Sequence, residues 1–324
     1  MNKIKFVKKI LLTGLMLTFM SCSSKPEMLN GEYPVYKTKE DHDAVMALYQ
    51  EALNNWKITY REIDVDTSYG KTHIITTGTG KNKRNLVIIN GIGSNSSMIP
   101  SSLISQYQDF NVFVIDVPGQ PGKSRPTKFP KSGKDFSDWL NESFTALRID
   151  KASLIGISLG GWMSQSFLLY YPDRIEKFVS WAYPYLDKKP TGLLSMLSLA
   201  SRYIYHYISG GYEGLLTYMN GAHPLKNQQY ENLWRKFIVY SSKYTDSSTI
   251  GFEIIPEKDI KAITKPVLVI FGEKDYVIGN AKEAQKYIQK INNPNIRFEL
   301  IPDEGHFLLN NPDHVLKLAY DFLK

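Results

Sequence analysis

The chain has 324 residues, 43% of them hydrophobic and 22% charged, with 39 Lys and Arg against 32 Asp and Glu and a formal charge of +7. That is the composition of an ordinary globular protein, long enough to bury a sizeable core as one large domain or one domain with an insertion, and it contains no low-complexity tract or internal repeat. The excess of base sits at the start: residues 1–21 carry Lys3, Lys5, Lys8 and Lys9 and no acid, so without these four the charge falls from +7 to +3, and no clustered Lys/Arg stripe argues for nucleic acid.

Residues 1–21 read as a targeting signal rather than as part of the fold. A basic region from Lys3 to Lys9 precedes an apolar stretch, Ile10 to Met20, that is too short to span a bilayer comfortably. Ordinary cleavage before Cys22 wants small residues one and three positions upstream, and Phe19 is bulky. The run Phe19-Met20-Ser21-Cys22 resembles, loosely, a bacterial lipoprotein signal, which ends immediately before a cysteine that becomes lipidated. Cys22 is the single cysteine of the chain, so an internal disulfide is impossible. The resemblance implies a lipid on Cys22, a tether over residues 22–40, a membrane as partner, and an extracytoplasmic place in a bacterial cell envelope. The alternative is an ordinary signal peptide with an incidental cysteine.

Next comes a helix from Asp41 to Trp56, with Val45, Leu48, Tyr49 and Leu53 at helical spacing. Lys57 to Val65 and Lys71 to Thr77 alternate as strands, with Asp66 to Gly70 as the hairpin turn. From there the rhythm changes. Asn85–Ile89, Val112–Ile115, Ser153–Ile157, Phe178–Trp181 and Val267–Phe271 are short apolar runs, the pattern of strands covered on both faces, and Ile296–Ile301 reads as a final strand. Helical segments fall between them at Ser96–Tyr107, Phe136–Leu147, Leu159–Tyr171 and Ala281–Ile291, and Pro172 ends the third. The alternation predicts an α/β fold with a mostly parallel central sheet flanked by helices. It lapses between Tyr185 and Asp259, a stretch dense in aromatics that reads as an inserted helical cap. Its rings either line an apolar substrate pocket or pack the cap's own core. The expected domains are core over residues 41–184, cap over 185–259 and core again over 260–324.

Ala152-Ser153-Leu154-Ile155-Gly156-Ile157-Ser158-Leu159-Gly160-Gly161 runs a strand into a glycine-flanked serine and then a helix. Such a nucleophile elbow exposes a serine hydroxyl at the carboxyl edge of a sheet. Gly-x-Ser-x-Gly alone arises by chance in about one chain of this length in ten, and Ser158 could equally be a helix N-cap. Four further motifs supply context. Asn90-Gly91-Ile92-Gly93-Ser94 follows a strand, and Asp116-Val117-Pro118-Gly119-Gln120-Pro121-Gly122-Lys123-Ser124 follows the next. Phe271-Gly272-Glu273-Lys274-Asp275 ends a third, and Pro302-Asp303-Glu304-Gly305-His306-Phe307 follows the last. In this order they resemble the α/β-hydrolase superfamily over Lys57 to Lys324.

The resemblance implies a Ser-His-Asp triad in which Ser158 is the nucleophile, His306 the general base and Asp275 the acid that orients it. Glu273 and Asp187 are rivals for the acid. Backbone N–H groups of Ile92 and Leu159 become the oxyanion donors, with Asn90 standing where the superfamily commonly has histidine. The Asp116 loop becomes a structural turn; it lacks the spacing of a phosphate-binding loop. His42 and His73 precede the nucleophile, His206 and His223 fall in the cap, and His314 lies on the last helix. No metal or nucleotide cofactor is implied. The expected reaction is hydrolysis of a small-molecule carboxylic ester through an acyl-enzyme. Two alternatives stay open. One is a proline-type aminopeptidase, with Glu213, Glu231 or Glu253 holding the substrate amine. The other is a non-enzymatic binding module on the same scaffold, which an intact triad argues against.

Overall fold

The structure, a computed structural model, describes residues 35–78, 80–183, 205, 208, 211, 214, 216–221, 232–233, 235–237, 253–277 and 280–324. The expected signal, Cys22 and most of the expected cap lie outside them.

Helix α1 (Lys39–Asn54) leads into a hairpin of β1 (Arg61–Thr67) and β2 (Gly70–Thr77). β1 starts at Arg61 rather than Lys57, but both strands run further into the turn than the alternation predicts, with Gly70 at φ +105° where a Cβ would lie 2.4 Å from the Arg125 carbonyl oxygen. Then come β3 (Arg84–Ile89), α2 (Ser101–Ser105), β4 (Phe110–Ile115) and the two-residue β5 (Arg125–Pro126). The continuous helix expected over 96–107 is instead a 3₁₀ turn at Ser96–Met98 and the short α2. Pro100 between them has no N–H to continue a helix. Asn95 caps the turn by accepting from the Ser97 N–H.

The rest follows the predicted alternation in α3 (Gly133–Ala146), β6 (Ala152–Ile157), α4 (Leu159–Tyr170), β7 (Ile175–Trp181), then α5 (Glu257–Lys261), an unpredicted short helix across the expected cap boundary, β8 (Val267–Gly272), α6 (Ala281–Ile291), β9 (Ile296–Ile301) and α7 (Pro312–Leu323). Helix α3 begins three residues before the expected start because Ser132 and Asp135 form a capping box.

The strands form one sheet in the order β1-β2-β4-β3-β6-β7-β8-β9, with β5 on β2. Pairing is antiparallel at β1–β2 and β2–β4 and parallel from β4 to β9. Both faces are covered. Val87, Ile89, Leu154, Phe178 and Val269 meet Phe136, Trp139, Trp162, Phe167 and Ile288 on one side. Leu86, Ile88, Val112, Ile155 and Leu268 meet Leu103, Tyr107, Val315, Leu316 and Leu323 on the other. Strands β3, β4, β6, β7 and β8 therefore read as apolar runs, whereas the edge strand β9 sets Arg297 and Glu299 between apolar residues. The chain leaves β3 towards β4 on one side and later resumes at β6 on the other. Between β3 and β6 lies the switch point, at whose carboxyl edge α/β sheets bind ligands.

A fully buried carboxylate fastens this edge. Asp116, just beyond β4, accepts from the Ser96 N–H at 2.6 Å, the Lys123 N–H at 2.8 Å and the Tyr49 hydroxyl at 3.2 Å. Burial and the Asp116 charge raise the Tyr49 pKa well above its ordinary value, which keeps the phenol a donor. Gly122 has no side chain because a Cβ there would lie 2.6 Å from the Asp116 carboxyl carbon. Replacing Asp116 by Ala strands the Ser96 and Lys123 N–H groups and leaves the Tyr49 hydroxyl to Ser96 Oγ, and Asp116→Ala is expected to lower the unfolding free energy by about 3 kcal/mol in urea titrations.

Candidate active site

Ser158 stands between β6 and α4 with φ +52° and ψ −113°, a backbone conformation that costs an L-residue of order 1–3 kcal/mol. Its neighbours leave it no other. The Ser158 N–H donates to the Trp181 carbonyl at 2.8 Å, extending the β6–β7 ladder by one residue before the chain turns. A Cβ on Gly160 would lie 2.1 Å from the Ile89 oxygen, one on Gly156 2.4 Å from the Gly160 oxygen, and one on Gly161 2.6 Å from the Tyr183 Cβ. The glycines thus let the first turn of α4 sit directly against β3, β6 and the residues after β7. Helix α4 is buried on every side from Leu159 to Leu168, so the whole elbow is anchored in the core.

The loops after β8 and β9 bring two further side chains to this serine. His306 Nε2 lies 3.0 Å from Ser158 Oγ, and His306 Nδ1 lies 2.8 Å from Asp275 Oδ2. All three residues are buried. The second oxygen of Asp275 accepts from the Val277 N–H at 2.9 Å, so the carboxylate is held from both sides. With Asp275 fixing the tautomer that presents an unprotonated Nε2, the imidazole can take the serine proton. Glu273 is exposed and uses its N–H on the Ile301 carbonyl, and Asp187 lies outside the described residues. His42 pairs with Asp43, His73 is held between Asp64 and Glu62, and His314 is exposed. His206 and His223 lie outside the described residues.

Leu159 opens α4, so its N–H has no acceptor within the helix. The loop after β3 runs alongside. A Cβ on Gly91 would lie 3.3 Å from Ser158 Cβ, and Ile92 follows as one of the exposed large apolar side chains. Asn90, in the usual histidine position, donates its amide to the Asn95 carbonyl and so braces the loop on itself. Two residues that sequence reasoning missed complete the bracing. Gln120 Oε1 accepts from the Gly93 N–H at 2.6 Å, and Asn95 Nδ2 donates to the Pro121 carbonyl at 2.8 Å. Gln120 lies inside the recognised Asp116 motif, but only the fold brings it to the neighbouring loop. Glu304 is a third. Buried beside His306, it accepts from the Asn310 N–H at 3.1 Å and the Asn311 N–H at 2.5 Å, which ties the base loop to the start of α7.

Of the cap aromatics, three fall in the described residues. Phe237 is buried against α1 with Val45 and Ala52, a packing role. Tyr205 is exposed, and Tyr218 is buried against the loop after β8. Glu253, one of the amine-holding candidates, accepts the Gly133 N–H at 2.9 Å as a cap on α3. Glu213 and Glu231 lie outside the described residues.

A serine forced into left-handed backbone at the switch point of a parallel sheet, with an imidazole in hydrogen-bonding reach, defines a serine hydrolase. Comparison with known proteins gives the lineage. Residues 84–311 match the family model described as the alpha/beta hydrolase fold, and the chain belongs to that family. It is 27% identical over 289 residues to carboxylesterase YbfK of Bacillus subtilis, covering 85% of this chain and 92% of that protein. The crystal structure of YbfK superposes with a TM-score of 0.74 at 25% identity, over 88% of this chain and 98% of that one. The naproxen esterase of Bacillus subtilis gives a TM-score of 0.76 at 21% identity, over 89% and 100%, a likeness of fold.

The strain at Ser158 has a measurable consequence. Ser158→Gly removes the hydroxyl together with the Cβ that makes φ +52° costly. The variant is expected to unfold at higher temperature than the wild type, with a gain of about 1 kcal/mol. An unchanged or lowered melting temperature would show that the elbow is unstrained.

Proposed function

We propose that this protein is a carboxylesterase that cleaves a small-molecule acyl ester through Ser158, His306 and Asp275. The observation that carries the reading is the continuous line Ser158 Oγ–His306 Nε2 at 3.0 Å and His306 Nδ1–Asp275 Oδ2 at 2.8 Å. Similarity to a carboxylesterase over most of both chains supports the ester as the bond.

His306 withdraws the proton as Ser158 Oγ attacks the ester carbonyl, and Asp275 stabilises the imidazolium that forms. The N–H groups of Leu159 and Ile92 receive the developing oxyanion, each worth a few kcal/mol in the transition state. His306 then protonates the departing alkoxide. In the second half-reaction it activates water against the acyl-enzyme, and the acid leaves. The peptidase alternative loses one of its three amine-holding candidates, because Glu253 is committed to the N-terminus of α3.

A fluorophosphonate probe tests the chemistry. Wild type is expected to label, Ser158→Ala to be silent, and Asp275→Asn to label slower by about 10³–10⁴ through loss of the correct tautomer. Labelling that survives Ser158→Ala would sink the nucleophile assignment. A panel of aryl esters of increasing acyl length, run beside aminoacyl-arylamides, separates esterase from peptidase.

We further propose that Cys22 is lipidated and that the enzyme works outside the cytoplasm, anchored to a membrane of a bacterial cell envelope. Support comes from the basic and apolar pattern of residues 3–20 and from Cys22 being the single cysteine. Metabolic incorporation of a fatty-acid analogue is expected in wild type and not in Cys22→Ala. Equal incorporation into both would dismiss the anchor.

A further inference from the structure

Among the described residues between β7 and β8, those at 216–221 touch the reacting groups. Residues 216–219 are helical, and Asn220 and Gly221 end the turn, with the Asn220 N–H on the Leu216 carbonyl at 2.9 Å and Gly221 at φ +72°. A left-handed glycine is the usual stop for a helix, and it leaves the last carbonyls open to other donors. The Met219 carbonyl accepts the His306 N–H at 2.7 Å. Asn220, fully buried, donates its amide to Asn310 Oδ1 at 2.9 Å. Gly305, immediately before His306, is bare because a Cβ would lie 2.2 Å from the Asn220 carbonyl carbon.

Tyr218 reaches the acid. Its ring stacks on Tyr276 with centroids 5.5 Å apart, and its hydroxyl donates to the Tyr276 carbonyl at 3.0 Å. The same peptide unit that presents this carbonyl presents the Val277 N–H on its opposite side, and that N–H donates to Asp275 Oδ1 at 2.9 Å. A peptide unit is rigid and planar, so holding its C=O fixes the direction of its N–H. Hydrogen bonds thus run from Tyr218 through the Tyr276–Val277 peptide, Asp275 and His306 to Ser158.

We propose that Tyr218 is a positioning residue for the reaction: its hydroxyl sets the peptide plane that holds the catalytic carboxylate in line with His306. This rests on the serine-esterase reading. The group touches no reacting atom and acts through Asp275. Phe at this position keeps the stack and removes the bond to the carbonyl, which makes Tyr218→Phe the informative variant.

The measurement is a double-mutant cycle on a soluble aryl ester, with wild type, Tyr218→Phe, Asp275→Asn and the double variant, each first checked for wild-type circular dichroism. Tyr218→Phe is expected to lower kcat about 3- to 10-fold, the effect of one neutral hydrogen bond, with KM within about twofold of wild type. In the Asp275→Asn background the same substitution is expected to do almost nothing, because the group through which it acts is already disabled. Fluorophosphonate labelling rates give the same cycle where turnover is too slow to follow. The proposal is overturned if Tyr218→Phe retains wild-type kcat, if its loss lies in KM, or if the loss is equal in both backgrounds. Wild type that labels without hydrolysing any ester refutes the substrate assignment alone, and the labelling cycle then decides the role of Tyr218. Wild type that neither labels nor hydrolyses refutes both readings.

Discussion

Close backbone approach at the carboxyl edge of the sheet is the constraint on which the site depends. Four strand ends and the first turn of α4 converge around Ser158, at separations only glycine permits. Gly160 passes the end of β3 where a Cβ would be 2.1 Å from the Ile89 oxygen, and Gly272 passes the base loop where one would be 2.4 Å from the Glu304 oxygen. The crowding removes conformational alternatives from the residues between the glycines. Ser158 is thereby held in a backbone state it would abandon in a looser turn, with the cost met by the buried helix behind it. Rigidity here is part of the chemistry, since hydrogen bonds in place before substrate arrives need little reorganisation during reaction.

Two buried carboxylates do the corresponding work for the loops. Asp116 gathers the N–H groups of Ser96 and Lys123, and Glu304 gathers those of Asn310 and Asn311. Each satisfies backbone donors that irregular segments would otherwise bury unpaired, at a position next to a loop of the candidate site. Neither touches the line from Ser158 to Asp275. Their shared function is to make loops behave as firmly as the strands they follow, and Gln120 extends the effect across the sheet edge to Gly93.

What the sequence could reveal divides along the range of the interactions involved. The parallel strands were legible because burial on both faces leaves an uninterrupted apolar signature, and the elbow because its glycines are local requirements of a tight turn. The helix expected over 96–107 was misread because apolar spacing there persists across Pro100, while the competing pull of Asp116 on the Ser96 N–H comes from twenty residues further along the chain. Ser158, Asp275 and His306 could be named from their motifs. The bonds that brace them could not: Gln120 with Gly93, and Tyr218 with Tyr276, join segments whose proximity only the completed sheet creates. Tyr218 in particular was one aromatic among many in a stretch without strand rhythm.

The bare α-carbon of Gly305 has a consequence for how such an enzyme diversifies. It lets the chain between β7 and β8 fasten to the base loop at residues 220–221, near the middle of that long connection rather than at its ends. A connection fastened near its midpoint is divided into two shorter segments, each closing at its own entropic cost. Insertions, deletions and substitutions on one side need not shift the register of the other. Two stretches of sequence are thus free to drift separately over evolutionary time, while the knot between them keeps Asp275 and His306 in place.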